Sequence, residues 1–226
     1  MRKMTLIALI ALPLFAGFFP QTIHTTVSKT SDKSIVLSSP FPVDGMTGIV
    51  IHNYGNGIEA ITSRIVQHSA NKTTLLDGEI IHHDKLPTIN TPVTVGDNVI
   101  GGYLYDNVLL LAPNAQIYKD ITSQYHKTWI HPDLYALFLS KYGDNIPTKE
   151  NLKAFAKSYQ VGLIYIVGHN SARLLDPISG QIVGQKPMSG LPKEGKSPFF
   201  MRFDEIDSGI FSSDNHTGYY KLMDTL

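Results

Sequence analysis

The chain changes its pattern near Asn107, and that change constrains the fold more than any other feature. Before it, apolar residues come in short or alternating groups separated by Gly, Asn and Pro. After it, two unbroken apolar runs, 108–112 and 161–167, are interleaved with stretches of helical spacing. Alternation suits a strand with one wet face, whereas an unbroken run suits a strand buried on both faces. The expectation is an α+β protein. A small β-barrel or sandwich over 34–107 precedes a compact α/β subdomain over 108–226 with two to three helices and a C-terminal hairpin.

In the first half, 35–37 is a short apolar run ended by Pro40 and Pro42, and 48–52 is a second, closed by Asn53, Gly55, Asn56 and Gly57. These are turn residues, because Gly and Asn tolerate left-handed backbone. Residues 58–68 alternate and put Ile61, Ser63, Ile65 and Gln67 on one face. Residues 73–76 and 79–82 flank Asp77-Gly78, a pair that suits a tight hairpin. Residues 92–95 and 99–104 flank a turn at Gly96-Asp97-Asn98, where Gly bends the chain and the Asp carboxylate bonds to its own turn.

In the second half, Asn114 caps a helix over 115–125. Pro132 opens a second helix, with Leu134, Leu137 and Phe138 as its stripe and Gly143 as its stop. A third opens at 147–150, with Leu152, Phe155, Ala156 and Tyr159 recurring at helical spacing. Residues 174–183 read as a hairpin around Asp176-Pro177-Ile178-Ser179-Gly180. The Gly, Pro and Lys of 186–197 read as a mobile loop, and 198–203 as an extended piece. A short last helix from Asn215 or His216 places Tyr219, Tyr220, Leu222 and Met223 against the core.

The N-terminus and the composition bound the setting. Arg2 and Lys3 precede an apolar run over 4–19 with Ala16 and Gly17 near its end. This is the pattern of a secretory signal, too short for a comfortable bilayer span of about 20 residues. A signal peptide over 1–25, cut between Gly17 and Thr26, and a Thr/Ser-rich linker over 26–33 are expected. An uncleaved anchor is the alternative. The body is then exported to the periplasm, the outer membrane or the cell surface. The chain has no cysteine, which excludes disulfides, thiolate metal sites, thiol nucleophiles and lipid-modified cysteine. Lys plus Arg and Asp plus Glu number 19 each, so there is no electrostatic footprint for nucleic acid. No nucleic acid, cofactor or small-molecule substrate is expected.

Several constellations bear on chemistry. His82-His83-Asp84 with His52 and His68 could gather around a metal, but neighbours on a strand point to opposite faces, and no metal site is expected. His169 and Ser171 follow Gly168 without the Gly-x-Ser-x-Gly turn of a nucleophile elbow. Asp204, Glu205 and Asp207 crowd one loop instead of facing each other across a cleft, as paired carboxylates of glycoside hydrolysis must. No catalytic residue is assigned, and the protein reads as a non-enzyme. Lys193, Lys196 and Lys221, near the C-terminal end, are the candidate ligand-binding residues, because lysines on exported proteins can dock into acidic, aromatic-lined pockets. Their competing reading is ordinary solubilising charge.

A run of short phrases carries a family resemblance. Leu110-Leu111-Ala112-Pro113-Asn114 with Ile117-Tyr118, then residues 161–167, then Ser197-Pro198-Phe199-Phe200 with Ile206-Asp207-Ser208-Gly209, then Tyr219-Tyr220, occur in order. Together they resemble the N-terminal domain of plasminogen-binding protein of the pgbA type, a family of Helicobacter- and Campylobacter-like bacteria. The resemblance implies an exported envelope or surface protein that binds a protein partner, with plasminogen as the family's named ligand. It also implies a Lys/Glu-rich C-terminal tail, which is not expected here because the sequence closes on Asp224-Thr225-Leu226. The alternative is a periplasmic structural or assembly component of an envelope machine, such as a flagellar motor accessory.

Overall fold

The computed structural model describes residues 17–70, 72–77, 91–204, 206 and 218–226. The His82-His83-Asp84 group, Glu205, Asp207, Asn215, His216 and the first 16 residues of the expected signal peptide lie outside them. Six strands close a barrel: β1 (Ile23–Ser31), β2 (Ser34–Leu37), β3 (Thr47–Gly55), β4 (Ile58–Ser69), β5 (Lys72–Leu76) and β6 (Asn98–Gly101). Their order is β1-β2-β5-β4-β3-β6, and each pairing is antiparallel.

Residues 26–33 are therefore not a linker. β1 pairs with β2 on one side and β6 on the other, and Thr25, at the end of the expected signal peptide, faces Val99. Only Val27 of β1 is buried, so the strand carries no apolar alternation; its stability comes from two ladders and from β-branched Thr residues that favour extended backbone. Asn56 and Gly57 take positive φ of 52° and 78°, as a two-residue hairpin turn between β3 and β4 requires. A register shift then sets Val50 opposite Ser63 but Ile51 opposite Ile61. Ile65 stays inside the barrel core, while the extra residue, Thr62, moves Ile61 to the outer face expected for its neighbours.

The second half is a five-stranded sheet of β7 (Asn107–Leu111), β8 (Thr128–Ile130), β9 (Leu163–Val167), β10 (Ser171–Asp176) and β11 (Gln181–Pro187), in the order β11-β10-β9-β7-β8. β7 runs parallel to β8 and β9, and β9, β10 and β11 alternate in direction. Four helices accompany it: α1 (Ala115–Gln124), α2 (Pro132–Tyr142), α3 (Lys149–Tyr159) and α4 (Tyr219–Met223). Asn114 caps α1 by accepting from Ile117 N at 2.9 Å, and Gly143 ends α2 with φ of 74°. The stripe of α2 differs from the one read in the sequence. Tyr135, Ala136, Phe138 and Leu139 are buried, whereas Leu134 and Leu137 are 42% and 55% exposed.

The two faces of this sheet belong to two cores. One joins Val108, Leu110, Leu163 and Tyr165 to the barrel interior and to Ile121 of α1. The other joins Leu109, Leu111, Ile164 and Ile166 to α2, α3 and α4. Asp176 fastens the halves. It is fully buried, and its carboxylate accepts from Thr47 N (3.1 Å), Thr47 Oγ1 (2.6 Å) and Tyr105 Oη (2.8 Å), and from Ile178 N and Ser179 N of its own turn. Burial pushes its pKa up while these donors pull it down.

Candidate functional site: a cap on the sheet's carboxyl edge

The chain leaves β7 for β8 on one side and returns to β9 on the other. The two crossovers diverge at the carboxyl ends of β7 and β9, where open α/β sheets present a crevice for ligands. In this protein the chain itself fills that crevice. Tyr219 of α4 is buried, and its hydroxyl lies 2.9 Å from Leu111 O and 2.8 Å from Val167 O, sharing one proton between the last carbonyls of the two strands. Burial pushes the Tyr219 phenol well above its ordinary pKa. Beside it, Lys196 N donates to Pro113 O at 2.7 Å and Phe200 N donates to Ala112 O at 2.8 Å.

The segment read as a mobile loop is thus tied down along its length. β11 takes its first two residues, Lys186 and Pro187. Tyr220 Oη donates to Pro192 O at 2.8 Å, which fastens the loop to α4. A Cβ on Gly195 would stand 2.7 Å from Pro113 Cβ and 2.8 Å from Tyr219 Cγ, so only glycine fits there. Arg173 Nη2 donates to Met223 O at 2.6 Å and holds the end of α4. At the far end, Asp133 of α2 accepts from Arg202 N at 2.9 Å and Arg202 Nε at 2.5 Å. Burial pushes the Asp133 carboxyl up, but the Arg202 hydrogen bonds and the neighbouring charges of His131 and Arg202 leave it below its ordinary value. Burial lowers the pKa of His131.

The three lysines separate on this cap. Lys193 on the loop and Lys221 on α4 are exposed, and the Tyr220–Pro192 hydrogen bond holds their segments together. Lys196 is half-buried and turned inward; its ammonium donates to Met201 O at 2.9 Å and to Phe203 O. Two of its three N–H groups are thereby committed to the loop. The sequence singled out all three without a signal for this difference, because orientation depends on the path of residues 196–203.

The other candidates resolve differently. His169 is exposed and packs edge-on against Tyr220, with ring centroids 5.3 Å apart; among the described residues no hydrogen bond joins it to Ser171. His52 Nδ1 lies 2.7 Å from Asp97 Oδ1, and Asp97 also accepts from Thr94 N and Thr94 Oγ1, closing the turn read in the sequence. His68 meets Thr74 instead. Among the described residues no three His, Asp or Glu side chains gather around a point that could hold a metal. Also among them, no helix is long and apolar enough to cross a membrane. A cleft of about 300 Å³ between the outer barrel face and α3 is mostly apolar, with Ile49, Ile61, Val161, Arg64 and Lys157 among its walls.

Over residues 22–226 the chain matches the family model described as plasminogen-binding protein pgbA N-terminal, and it belongs to that family. It is 30% identical over 155 residues to plasminogen-binding protein PgbA of Helicobacter pylori strain J99, covering 66% of this chain and 34% of that protein. It is 31% identical over 148 residues to the protein of the same name from strain 26695, covering 62% of this chain and 32% of the relative. The chain thus spans about a third of the length of these curated relatives. No solved structure matches it.

Proposed function

We propose that this member of the pgbA N-terminal family is an exported protein of the bacterial envelope that binds another protein, plasminogen, and does not transform it. The observation that carries the reading is the pairing of exposed Lys193 and Lys221 on two segments joined by a side-chain hydrogen bond. Two cations on segments fastened to each other dock into acidic, aromatic-lined pockets with less loss of loop entropy than two on independent segments. The filled crevice supports the same reading, since the position that serves ligands in open α/β sheets is occupied by Tyr219. The relatives' name supplies the partner, and the charged start and apolar run of the N-terminus supply the export.

The test is capture of plasminogen by the purified chain, with free lysine as competitor, together with fractionation of cells producing it. Capture that free lysine displaces, and recovery from the periplasm or outer membrane, support the reading. A chain that captures nothing, or that stays in the cytosol, contradicts it.

One observation favours a second reading, a structural component of an envelope assembly. α2 turns Leu134 and Leu137 outward, and Tyr142 and Tyr159, at the ends of α2 and α3, are 61% and 43% exposed. Apolar residues grouped on an outer face mark protein contacts when the patch is contiguous. Co-purification of envelope proteins that is lost on L134E/L137E supports this reading, and a soluble monomer without partners counts against it.

A further inference from the structure

We propose that the cleft between the barrel and α3 binds a single unbranched acyl chain ending in a carboxylate, with the chain inside and Lys157 holding the headgroup. The site is separate from the lysines of the cap, and its ligand is held, not transformed.

The cleft lies where the outer faces of β3 and β4 meet the end of α3 and the connection from β6 to β7. It has two parts. A mouth of about 300 Å³ continues into a recess of about 60 Å³, and Ile49, Leu104, Val161 and Ile178 wall both. Small-molecule sites favour such seams between two bodies of a fold, and this volume is at the lower end of their range. One side of the recess closes where Gly162 meets the β6–β7 connection. A Cβ on Gly162 would stand 2.0 Å from Leu104 O, so only glycine allows that approach.

The recess selects an apolar chain. Thr47 and Tyr105 reach it, but both hydroxyl protons are already given to Asp176, at 2.6 and 2.8 Å. A peptide would bring backbone N–H and C=O groups that need partners when buried. A methylene chain brings none and gains by leaving water.

The mouth selects an anion. Its two charged walls, Arg64 and Lys157, are cationic, and no Asp or Glu is among the described residues that line it. Lys157 is exposed on the last turn of α3, and among the described residues no carboxylate pairs with it. Its stem can follow the apolar wall while the ammonium stays at the opening. Carbonyls at a helix C-terminus oppose an anion, yet two of them are taken. Gln160 O accepts from Asn107 Nδ2 at 2.9 Å, and Ala156 O accepts from Val161 N at 3.0 Å. Lys157 therefore sets the sign of the opening.

The test titrates decanoate, below its micelle concentration, into the full chain by calorimetry. Acetate and the decyltrimethylammonium cation serve as comparisons. One saturable decanoate site per chain is expected, with no binding of acetate and weaker binding of the cation. Lys157→Glu, on an exposed position, is expected to weaken decanoate binding about tenfold. Ile61→Trp, which fills the mouth from the half-buried face of β4, is expected to abolish it. K193A/K221A is expected to leave it unchanged, so the result is independent of plasminogen capture. Absence of saturable binding, equal affinity for the cation, or decanoate affinity unaltered in Lys157→Glu overturns the proposal.

Discussion

The barrel and the sheet half both bury polar side chains, but they use them in opposite ways. In the barrel, Gln67 bonds to Phe41 N, Phe41 O and Asp44, and Asp97 to His52 and Thr94; every partner belongs to the barrel or its connections. In the sheet half, β9 is buried and apolar throughout, and the buried acids reach outward. Asp176 holds the barrel, and Asp133 holds the end of the cap. The barrel closes on itself, while the sheet half is an assembly point to which other segments are fastened. A surface for a partner is best built there, because the fasteners set the position of the loop and helix that carry the exposed lysines.

The sharpest way to break this contrast is to remove the central fastener. Asp176→Ala leaves Thr47, Tyr105 and the turn amides without their acceptor, and is expected to cost about 4 kcal/mol in urea unfolding. A loss under about 1 kcal/mol would mean that the halves do not depend on this residue. Next in size is Tyr219→Phe, which removes the hydroxyl that the carbonyls of Leu111 and Val167 share. It is expected to cost about 2 kcal/mol and to speed proteolytic cutting around α4, with the barrel untouched.

A smaller effect follows from pH. The folded pKa of Asp133 is below its ordinary value, so its contribution is present above about pH 4 and is lost as pH falls through the folded value. The pKa of His131 is also lowered, so its share disappears on acidification from about pH 6.5 downward. Asp133→Asn is expected to cost about 1 kcal/mol at neutral pH, discounted because Arg202 is largely exposed. It is also expected to flatten the acid limb of a urea-midpoint profile measured from neutral pH to pH 3. An unchanged acid limb in the variant would assign that limb to other groups.

What was legible in the sequence follows from the range of the interactions involved. Local signals read well. The Asn56-Gly57 turn, the caps at Asn114 and Gly143, the apolar run of β9 and the hairpin after Asp176 all stand where residues within a few positions placed them. β1 was missed because it buries one apolar side chain and owes its strand to partners about ten and seventy residues away. β8 was missed because three residues carry no period. Leu134 and Leu137 were placed on the buried stripe because helical spacing fixes which residues share a face but not which face meets the core. At the candidate site, three lysines could be named from composition. That Lys196 turns inward and that Tyr220 joins the other two segments depends on contacts between residues 192–203 and α4, which no local pattern encodes.

The most direct test of the account compares lysines on the same cap. Plasminogen is titrated against the full chain, against K193A/K221A and against Lys196→Met, with folding of each checked by circular dichroism. The account predicts at least tenfold weaker binding for the double variant, about 1.4 kcal/mol. For Lys196→Met it predicts lower stability and unchanged affinity of the folded protein. Equal affinity across all three, or a loss confined to Lys196→Met, would contradict it.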